Sequence, residues 1–599
     1  MWFGRMSRRA AKSCPAGRTY RKCLLFAALL LLCSFKSVSA QPSVIEREAA
    51  RVETLRKIIP SVVCVMDPKG QGGGSGVLIS ADGYAISNYH VTSGAGSFMK
   101  CGLSDGKLYD AVIVGIDPTG DIALIQLQGR TDFSFAIPGD SDQVQTGQEV
   151  MALGNPFLLA SDFTPTVTYG IVSGVRRYQY PSNTFLEYTD CIQIDASINP
   201  GNSGGPLFDL NGRWIGINGR ASFEKRGRVN SGAAYAISVN QIMKFLGHLK
   251  CGLIVDHGVA DFTVETSESG EVRVAQVSAL SDAYRRGLRP GMQVLSFAGR
   301  LLTSANDFQN VLGIFPEGTR LPLRWRDTDG LHEGTIRLRP LHAFQKAPEL
   351  PEERQRRRPA DPEPQDDEDA ESAGEAQRIP ASLERLFVAR DGFCNYYFNE
   401  LQQLKLVKAL QERVAANGDP ATAWVVSFTA VEPGPRLTGE LTIADSAVGM
   451  TLNDRPFLQS TTDPQAAEES PQLPGLLIAM NQLRRLLSGE ITAFTEQQAA
   501  GRTFHLPLRK YVDILLTREG VRTCRWYFED GSALPVGVDI EYAQGIDEAR
   551  LLFADWADRN GAVFPGRIGL ISGATEDLLW LDTGDLTVNR RNVSEKKKP

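Results

Sequence analysis

The sequence predicts a mainly β, multidomain protein, and three observations support this class. The chain has 599 residues, 42% of them hydrophobic, which is more than one core requires and implies two to four domains. Most apolar segments are short runs of strand-forming residues that end at Gly, Asp or Pro, as in all-β sandwiches and barrels. An acidic, Pro-rich tract divides the chain, because residues 351–375 contain ten acidic residues, four basic residues and no aromatic residue.

Residues 1–40 have the layout of a secretory signal peptide. They contain eight Lys and Arg and no acidic residue, an apolar run over 23–35, and small residues at Val38 and Ala40 for cleavage. The run is thirteen residues long, whereas a bilayer requires roughly 20, so an uncleaved anchor is the weaker alternative. We therefore expect an exported protein, periplasmic or secreted, whose mature chain starts near Gln41 and spans no membrane.

Charge and cysteine usage exclude several classes of protein. Without its leader the chain has 56 basic against 70 acidic residues, and such a body binds nucleic acid poorly because phosphate contacts need clustered Lys and Arg. The six remaining cysteines include no CxxC pair, so zinc ribbons and thioredoxin-like sites are excluded. Cys64 and Cys101 are candidates for a disulfide between neighbouring strands, and isolated buried thiols are an equally open alternative.

The first folded region is predicted over residues 58–250. Its strands are expected at 61–66, 75–80, 84–88, 111–116, 122–127, 149–153, 170–175 and 214–218. Asp82-Gly83 between two of these runs is a strong tight-turn signal. A closing helix is expected at 239–249.

The second region, 252–340, alternates strands and helices and is long enough for a small α+β domain. Strands are expected at 271–277, 293–297, 321–325 and 334–338, and helices at 281–286 and 304–312. A disordered linker follows over 341–379, since its composition cannot bury enough apolar area to offset the entropy of ordering. Residues 380–592 then form a C-terminal domain.

Chemistry is concentrated in three segments: 73–91, 117–125 and 199–207. Ser203 has glycines on both sides, which allow the chain to turn sharply and to aim the N–H groups of Gly201 and Ser203 at one point, as an oxyanion hole requires. A serine hydroxyl is a weak nucleophile unless a base takes its proton. Among six histidines, His90 alone ends a β-run amid small residues, and Asp121 precedes an apolar strand, where its carboxylate could orient that histidine. Each feature alone is commonly structural; the order His, Asp, Ser in a β-rich region favours a catalytic triad.

These segments, together with Gly154-Asn155-Pro156, resemble the trypsin-like serine proteases, and specifically the HtrA (Deg) family, over about 58–249. The resemblance implies two six-stranded antiparallel barrels of the chymotrypsin type with the site in the cleft between them. It implies that Ser203 is the nucleophile, His90 the general base and Asp121 the orienting acid. Neither metal nor cofactor is implied.

The resemblance also suggests a specificity. In this fold the base of the substrate pocket lies six residues before the nucleophile, where this chain has Ser197, followed by Ile198. An uncharged pocket should prefer small or medium apolar side chains to Lys or Arg. The loops 176–188 and 220–233 resemble regulatory loops of the family.

Residues 286–295 resemble the family's PDZ signature, and a PDZ domain adds a peptide strand to its sheet edge. The carboxylate loop is expected around 268–272, where its acidic sequence weakens the case for peptide capture; a domain that only packs on the protease is the alternative. In the C-terminal domain, helices are expected at 399–416 and 476–487, with strands between and after them. This part vaguely resembles the curved antiparallel sheet of lipoprotein-carrier-like envelope proteins and contains no compact catalytic motif.

Three functions follow as hypotheses. The first is an HtrA-type endopeptidase that cleaves unfolded or misfolded envelope proteins through an acyl-enzyme. The second is a non-enzymatic quality-control scaffold with an inactive protease domain. The third is a processing protease directed to one substrate by its C-terminal domain. Protein or peptide substrates are the expected partners, with a homo-oligomer as a further possibility.

Overall fold

The computed structural model describes residues 43–70, 73–155, 162–179, 187–223, 230–342, 381–414, 423–431, 437–444, 447–460, 467–468, 470–488, 494–542, 545–573 and 576–589. The predicted leader and nearly all of the predicted acidic linker lie outside these residues. Two compact units divide the chain, residues 1–55 and 56–599. Helix α1 (Val44–Ile58) begins in the first unit with a capping box, in which Ser43 N donates to Glu46 Oε2 and Glu46 N donates to Ser43 Oγ. None of the helices among the described residues combines the length and apolar character that crossing a bilayer requires.

Six antiparallel strands close the first barrel in the order β1-β2-β3-β6-β5-β4. They are β1 (Val62–Met66), β2 (Gly74–Leu78), β3 (Tyr84–Ser87), β4 (Phe98–Gly102), β5 (Leu108–Asp117) and β6 (Ile122–Leu127), with helix α2 (Tyr89–Ala95) between β3 and β4. Side chains alternate along each strand, so Val63 and Val65 of β1 enter the barrel core. Closure leaves the barrel without free edges.

The second barrel is closed in the same way, because β11 pairs with both β8 and β12. Its strands are β7 (Ile137–Pro138), β8 (Glu149–Gly154), β9 (Thr166–Gln179), β10 (Tyr188–Ile194), β11 (Pro206–Asp209), β12 (Arg213–Phe223) and β13 (Asn230–Ser238), with β7 as an added parallel strand on β12. Helix α3 (Val239–Leu249) follows, capped by Ser238 Oγ, which accepts from Gln241 N. The predicted double six-stranded barrel is confirmed.

An α+β region follows the barrels. It contains β14 (Gly258–Val259), β15 (Phe262–Thr266), β16 (Val272–Val277), α4 (Asp282–Arg285), β17 (Gln293–Phe297), β18 (Arg300–Leu301), α5 (Ala305–Leu312), β19 (Arg320–Arg326), β20 (Leu331–Arg337) and β21 (Arg339–Pro340). The sheet order is β15-β16-β17-β19-β20. Since β16 pairs on both sides, the turn at 267–270 does not lead into a free edge. The expectation of a carboxylate loop around 268–272 is therefore wrong, and the edge strand near that end is β15.

A twelve-stranded antiparallel sheet forms most of the remaining chain. The elements are α6 (Ala381–Glu384), α7 (Tyr396–Val414), β22 (Ala423–Ala430), β23 (Thr438–Ile443), β24 (Ala447–Leu452), β25 (Arg455–Ser460), β26 (Ala467–Glu468), α8 (Leu476–Leu487), β27 (Glu496–His505), β28 (Lys510–Glu519), β29 (Arg522–Phe528), β30 (Gly537–Glu541), β31 (Ala549–Ala554), β32 (Ala557–Arg559), β33 (Ala562–Phe564), β34 (Arg567–Ile571) and β35 (Leu578–Asn589). Helix α8 is buried almost throughout its length in the core of this sheet. A C-terminal α+β domain with an antiparallel sheet is confirmed.

The C-terminal domain is bound directly to the barrels by buried amide side chains. Asn399 Nδ2 donates to the carbonyl oxygens of Cys251 and Ala499, both at 2.8 Å. Asn395 Nδ2 donates to the carbonyl oxygen of Ile113 at 2.8 Å. These contacts join the first barrel, the segment after α3, and β27.

All six cysteines of the described chain are free. In the β1–β4 ladder Cys64 lies opposite Gly102, whereas Cys101 lies opposite Val65. Because neighbouring residues of a strand face opposite sides, the two sulfurs point to opposite faces of the barrel wall and cannot bond. The structure therefore favours isolated buried thiols.

Candidate active site

His90 lies at the start of helix α2, directly after β3. Sequence analysis placed this histidine at the end of a strand, but β3 stops at Ser87 and Asn88 is the N-cap of the helix. The Asn88 side chain does not cap the helix; its Nδ2 donates to the Asp121 carbonyl oxygen at 2.9 Å. The helix start is therefore tied to the turn that carries the aspartate.

Asp121 occupies the turn between β5 and β6. Its φ of 59° is in the left-handed region, which is uncommon for a residue other than glycine. The residue is fully buried. Oδ1 accepts a hydrogen bond from His90 N at 2.9 Å, so main-chain and side-chain contacts both hold the carboxylate against the helix start. Strained backbone of this kind persists only where its surroundings determine it, and it is common at functional sites.

The His90 imidazole and the Asp121 carboxylate form a close pair. Nδ1 lies 2.8 Å from Oδ2 and 3.1 Å from Oδ1. Burial on its own would lower the pKa of His90, but the hydrogen bond and negative charge of Asp121 outweigh it and raise this pKa above its ordinary value. The His90 side chain is 42% exposed. With Nδ1 on the carboxylate, Nε2 is the ring nitrogen left to act as a base.

Ser203 belongs to a glycine-rich turn of the second barrel that is fixed to the first barrel by Ser75. Ser75 N donates to the Ser203 carbonyl oxygen at 2.8 Å, and Ser75 Oγ donates to the Gly201 carbonyl oxygen at 2.7 Å. Gly204 has a φ of +81°, and a Cβ there would lie 2.2 Å from the Ser75 carbonyl oxygen. Only glycine fits this position.

Gly74 marks where the two barrels meet. A Cβ at this residue would lie 2.7 Å from Val91 Cγ2 and 2.9 Å from the Ser203 carbonyl oxygen. Val91 follows His90 in α2, so the histidine and the serine lie on either side of one β2 residue. The structure thus brings the three predicted triad residues to the junction between the barrels.

Two features of the serine turn bear on chemistry. The Ser203 hydroxyl donates to the Gly219 carbonyl oxygen at 3.4 Å. The N–H groups of Asn202, Gly204 and Gly205 donate to backbone carbonyls, whereas those of Gly201 and Ser203 hold no hydrogen bond to the described part of the chain. These two donors remain available for an oxyanion.

Tyr188 is a contact of the site that sequence analysis missed. Its hydroxyl donates to Asp121 Oδ2, and the residue is 2% exposed. A Cβ on Gly219 would lie 2.6 Å from the Tyr188 ring, so the absence of a side chain at 219 makes room for the tyrosine. No motif surrounds Tyr188, and a contact 67 residues away in sequence leaves no local signal.

The two residues assigned to the substrate pocket have different environments. Ser197 is exposed, and Ile198 is 2% exposed and packs in the core of the second barrel. Ile198 therefore presents little surface of its own. Among the described residues, no group of three or more His, Cys, Asp or Glu side chains could hold a metal ion.

The fold and these contacts define a class of protein. Two six-stranded barrels with a serine from one and a histidine–aspartate pair from the other at their junction make a trypsin-fold serine peptidase domain. A family model described as a trypsin-like peptidase domain matches residues 74–217.

The domain is similar in sequence to HtrA-type (DegP) serine endoproteases. The chain is 37% identical over 263 residues to the periplasmic serine endoprotease DegP of Escherichia coli K12, covering 42% of this chain and 53% of that protein. It is 34% identical over 262 residues to a probable periplasmic serine endoprotease, DegP-like, of Chlamydia trachomatis, covering 42% of this chain and 50% of that protein. This chain spans about half the length of these curated relatives. A solved structure of the HtrA-type protease AlgW with a tripeptide covers 48% of this chain and 96% of that chain at 30% identity, with a TM-score of 0.40.

Proposed function

We propose that this protein is a serine endopeptidase that acts through an acyl-enzyme. The observation that carries the proposal is the His90–Asp121 pair, with Nδ1 2.8 Å from Oδ2. It lies beside a serine turn in which the N–H groups of Gly201 and Ser203 hold no hydrogen bond to the described residues. A buried carboxylate that accepts from Nδ1 keeps the imidazole in the tautomer whose Nε2 can take a proton. The raised pKa of His90 suits a group that must also act as an acid in the second half of the step.

Each residue has a role in this mechanism. His90 Nε2 takes the Ser203 proton as the hydroxyl oxygen attacks the scissile carbonyl carbon. The N–H groups of Gly201 and Ser203 stabilise the resulting oxyanion. The imidazolium then protonates the leaving amine, and the same base activates water to release the acyl group. The Asp121 carboxylate orients the ring through Nδ1 and stabilises the imidazolium.

Substrate choice is proposed from the pocket and from the relatives. An uncharged residue at position 197 favours small or medium apolar side chains over Lys or Arg. The relatives are named periplasmic endoproteases, and residues 1–40 have the composition of a secretory leader. We infer that the protein is exported and that unfolded or misfolded envelope proteins are its substrates.

A non-enzymatic scaffold is the second candidate, since the Ser203 hydroxyl donates to Gly219. In the peptidase this hydrogen bond belongs to a resting rotamer that turns toward His90 when substrate binds, because catalytic hydrogen bonds often form only in the complex.

Incubation of the protein with denatured casein separates the two candidates. We expect the wild type to degrade casein and to react with a fluorophosphonate probe at Ser203, and Ser203→Ala to do neither. Equal casein loss in both proteins, or none in either together with no labelling, would reject the peptidase and support the scaffold.

A further inference from the structure

A second histidine–aspartate pair lies directly beneath the turn that carries Asp121. His257 Nε2 lies 2.9 Å from Asp117 Oδ2 and 3.0 Å from Oδ1. Both side chains are buried, with exposures of 2% and 0%. Asp117 ends β5, and Asp121 lies four residues later in the turn, directly before β6.

Asp117 holds the turn itself. Its Oδ1 accepts a hydrogen bond from Gly120 N at 2.8 Å, and Gly120 precedes Asp121. A Cβ on Gly120 would lie 2.3 Å from Asp117 Oδ2 and 3.0 Å from His257 Nε2, so the carboxylate and the imidazole both press against the turn. The carboxylate thus links His257 to Gly120, which directly precedes Asp121 and its left-handed backbone.

His257 is a fixed donor. Its Nδ1 has no hydrogen-bond partner among the described residues, whereas Nε2 faces the Asp117 carboxylate. We therefore assign a ring proton to Nε2, which donates it to Asp117. The ring packs on Phe245 of α3 with centroids 4.7 Å apart. Asp256 Oδ1 accepts from His257 N at 2.9 Å, and the His257 carbonyl oxygen accepts from Leu341 N at 2.9 Å.

The segment that carries His257 is also bound to β5. Ile116 N donates to the Leu253 carbonyl oxygen at 3.1 Å, and Val255 N donates to the Ile116 carbonyl oxygen at 2.8 Å. The connection between α3 and β14 therefore runs parallel to the end of β5. This places the His257 imidazole beside the Asp117 carboxylate. Neither the triad nor the oxyanion hole uses this arrangement.

We propose that His257 is a positioning residue for the triad, holding the Asp117–Asp121 turn so that Asp121 meets His90. The proposal rests on the proposed peptidase activity. His257 contacts no reacting atom, so its loss should lower kcat and leave KM nearly unchanged. A misplacement of about 1 Å at a catalytic group can cost on the order of a hundredfold in rate.

The test compares two amides at position 257 in the full-length chain. In His257→Gln the side-chain nitrogen reaches about as far as Nε2 and can still donate to Asp117, whereas in His257→Asn it is too short. Active sites are titrated to the end-point with a fluorophosphonate probe, and kcat and KM are then measured per titrated site on labelled casein. The matched control is His248→Asn, the same substitution at another buried histidine, which packs against Gly501.

We expect His257→Asn to lower kcat roughly ten- to a hundredfold with KM within about twofold, and His257→Gln and the control to stay within about threefold of wild type. In His257→Asn the acid limb of kcat/KM should also move to lower pH, toward the ordinary histidine pKa of about 6.5, because Asp121 then supports His90 less.

If His257 had a merely structural role, the His257→Asn protein would have fewer titratable sites, but its kcat per site and its acid limb would be unchanged. That outcome overturns the proposal. Equal impairment in the Asn and Gln variants also overturns it, since the donor would then be irrelevant. If His257→Asn yields no titratable sites, Gly120→Ala decides, because its Cβ would push between the turn and the pair: unchanged kcat in that variant refutes the inference. A wild type that does not react with the probe rejects the proposed function instead.

Discussion

Replacing Glu548 with Gln removes the negative charge at the centre of a buried ion cluster. The α+β region after the barrels contributes Arg320 and Arg337, whose Nη2 and Nε lie 2.5 and 2.7 Å from the Glu548 carboxylate. Arg525 Nη1 lies 3.5 Å away. The side chains of Glu548, Arg320 and Arg337 are each 9% exposed. Gln keeps the shape of the side chain, so the substitution tests the charge.

The magnitude follows from the number of arginines and their burial. At an effective dielectric constant of about 20, a charge pair about 4 Å apart is worth about 4 kcal/mol, so two close arginines contribute about 8 kcal/mol. Against this loss, the neutral Gln side chain avoids the desolvation cost of several kcal/mol that burying the Glu548 carboxylate carries. The free energy of unfolding should therefore fall by about 3–5 kcal/mol, the range measured when one partner of a buried ion pair is removed.

The assay is urea unfolding at pH 7 followed by tryptophan fluorescence, with Glu333→Gln as the control. Glu333 pairs with Arg324 at 2.7 Å, but these side chains are 63% and 46% exposed, so its loss should cost at most about 1 kcal/mol. A cost for Glu548→Gln no greater than that of Glu333→Gln would refute the reasoning.

Acid provides a second readout of the same charge. Burial opposes the ionised form of Glu548, yet Arg337 and Arg320 outweigh it and hold the pKa of this carboxyl well below its usual range. Its stabilising contribution is therefore present above the unfolded value of about 4.3 and is lost as pH falls below it. The Gln variant should lack this component of acid sensitivity.

Three further outcomes are expected. Tyr188→Phe removes the hydroxyl that donates to Asp121, and should lower kcat about tenfold at unchanged KM, since a hydrogen bond to a charged group is worth about 1.5–3 kcal/mol; unchanged kcat would contradict this role. Because the pKa of His90 is raised, the acid limb of kcat/KM should have its midpoint above about 6.5, and a midpoint below that value would contradict the pairing with Asp121. Burial lowers the pKa of His248 and of His505 to about 4, so both stay neutral in the folded protein while the unfolded chain takes up protons below about 6.5. The free energy of unfolding should then fall by about 1.4 kcal/mol per histidine for each pH unit between about 6.5 and 4, and wild-type urea midpoints that do not change between pH 7 and 5 would exclude this.

The candidate triad residues could be singled out from the sequence because their signals are local. Glycines beside Ser203 and small residues beside His90 describe the backbone that each site needs, whatever the rest of the fold does. The element that carries His90 was not predictable in the same way: the apolar run of β3 continues into α2, and a strand end and a helix start look alike there.

Contacts between distant segments gave no sequence signal. Tyr188 reaches Asp121 across 67 residues, and His257 reaches Asp117 across 140. Each of these side chains has an ordinary alternative role in the sequence, as a core aromatic or a satisfied histidine. Their relation to the site depends on how β10 and the segment after α3 pack on the first barrel, which only the tertiary structure supplies.

Helix α8 illustrates a different limit. Its apolar spacing correctly predicts a helix at Leu476–Leu487. The same pattern implies a solvent-facing side for Gln482 and Arg484, yet both are buried. Gln482 Nε2 donates to Glu519 Oε2 at 3.1 Å, so a polar partner on β28 makes burial possible. Partners of this kind are invisible until strands are assigned to neighbours.

The attachment of the C-terminal domain changes how its role should be tested. Removing residues after 375 is the obvious test of a processing protease directed by that domain. Asn399, however, donates to Cys251 just after α3, and Gly501 of β27 packs against His248 of α3. Deletion would therefore leave buried backbone acceptors without partners and expose an apolar side of α3, each at a cost on the order of 1–3 kcal/mol. Lost turnover after such a deletion would follow from destabilised barrels as readily as from lost substrate choice. Point substitutions on exposed side chains of the domain, with active sites titrated, separate these two effects because they leave the contacts with α3 intact.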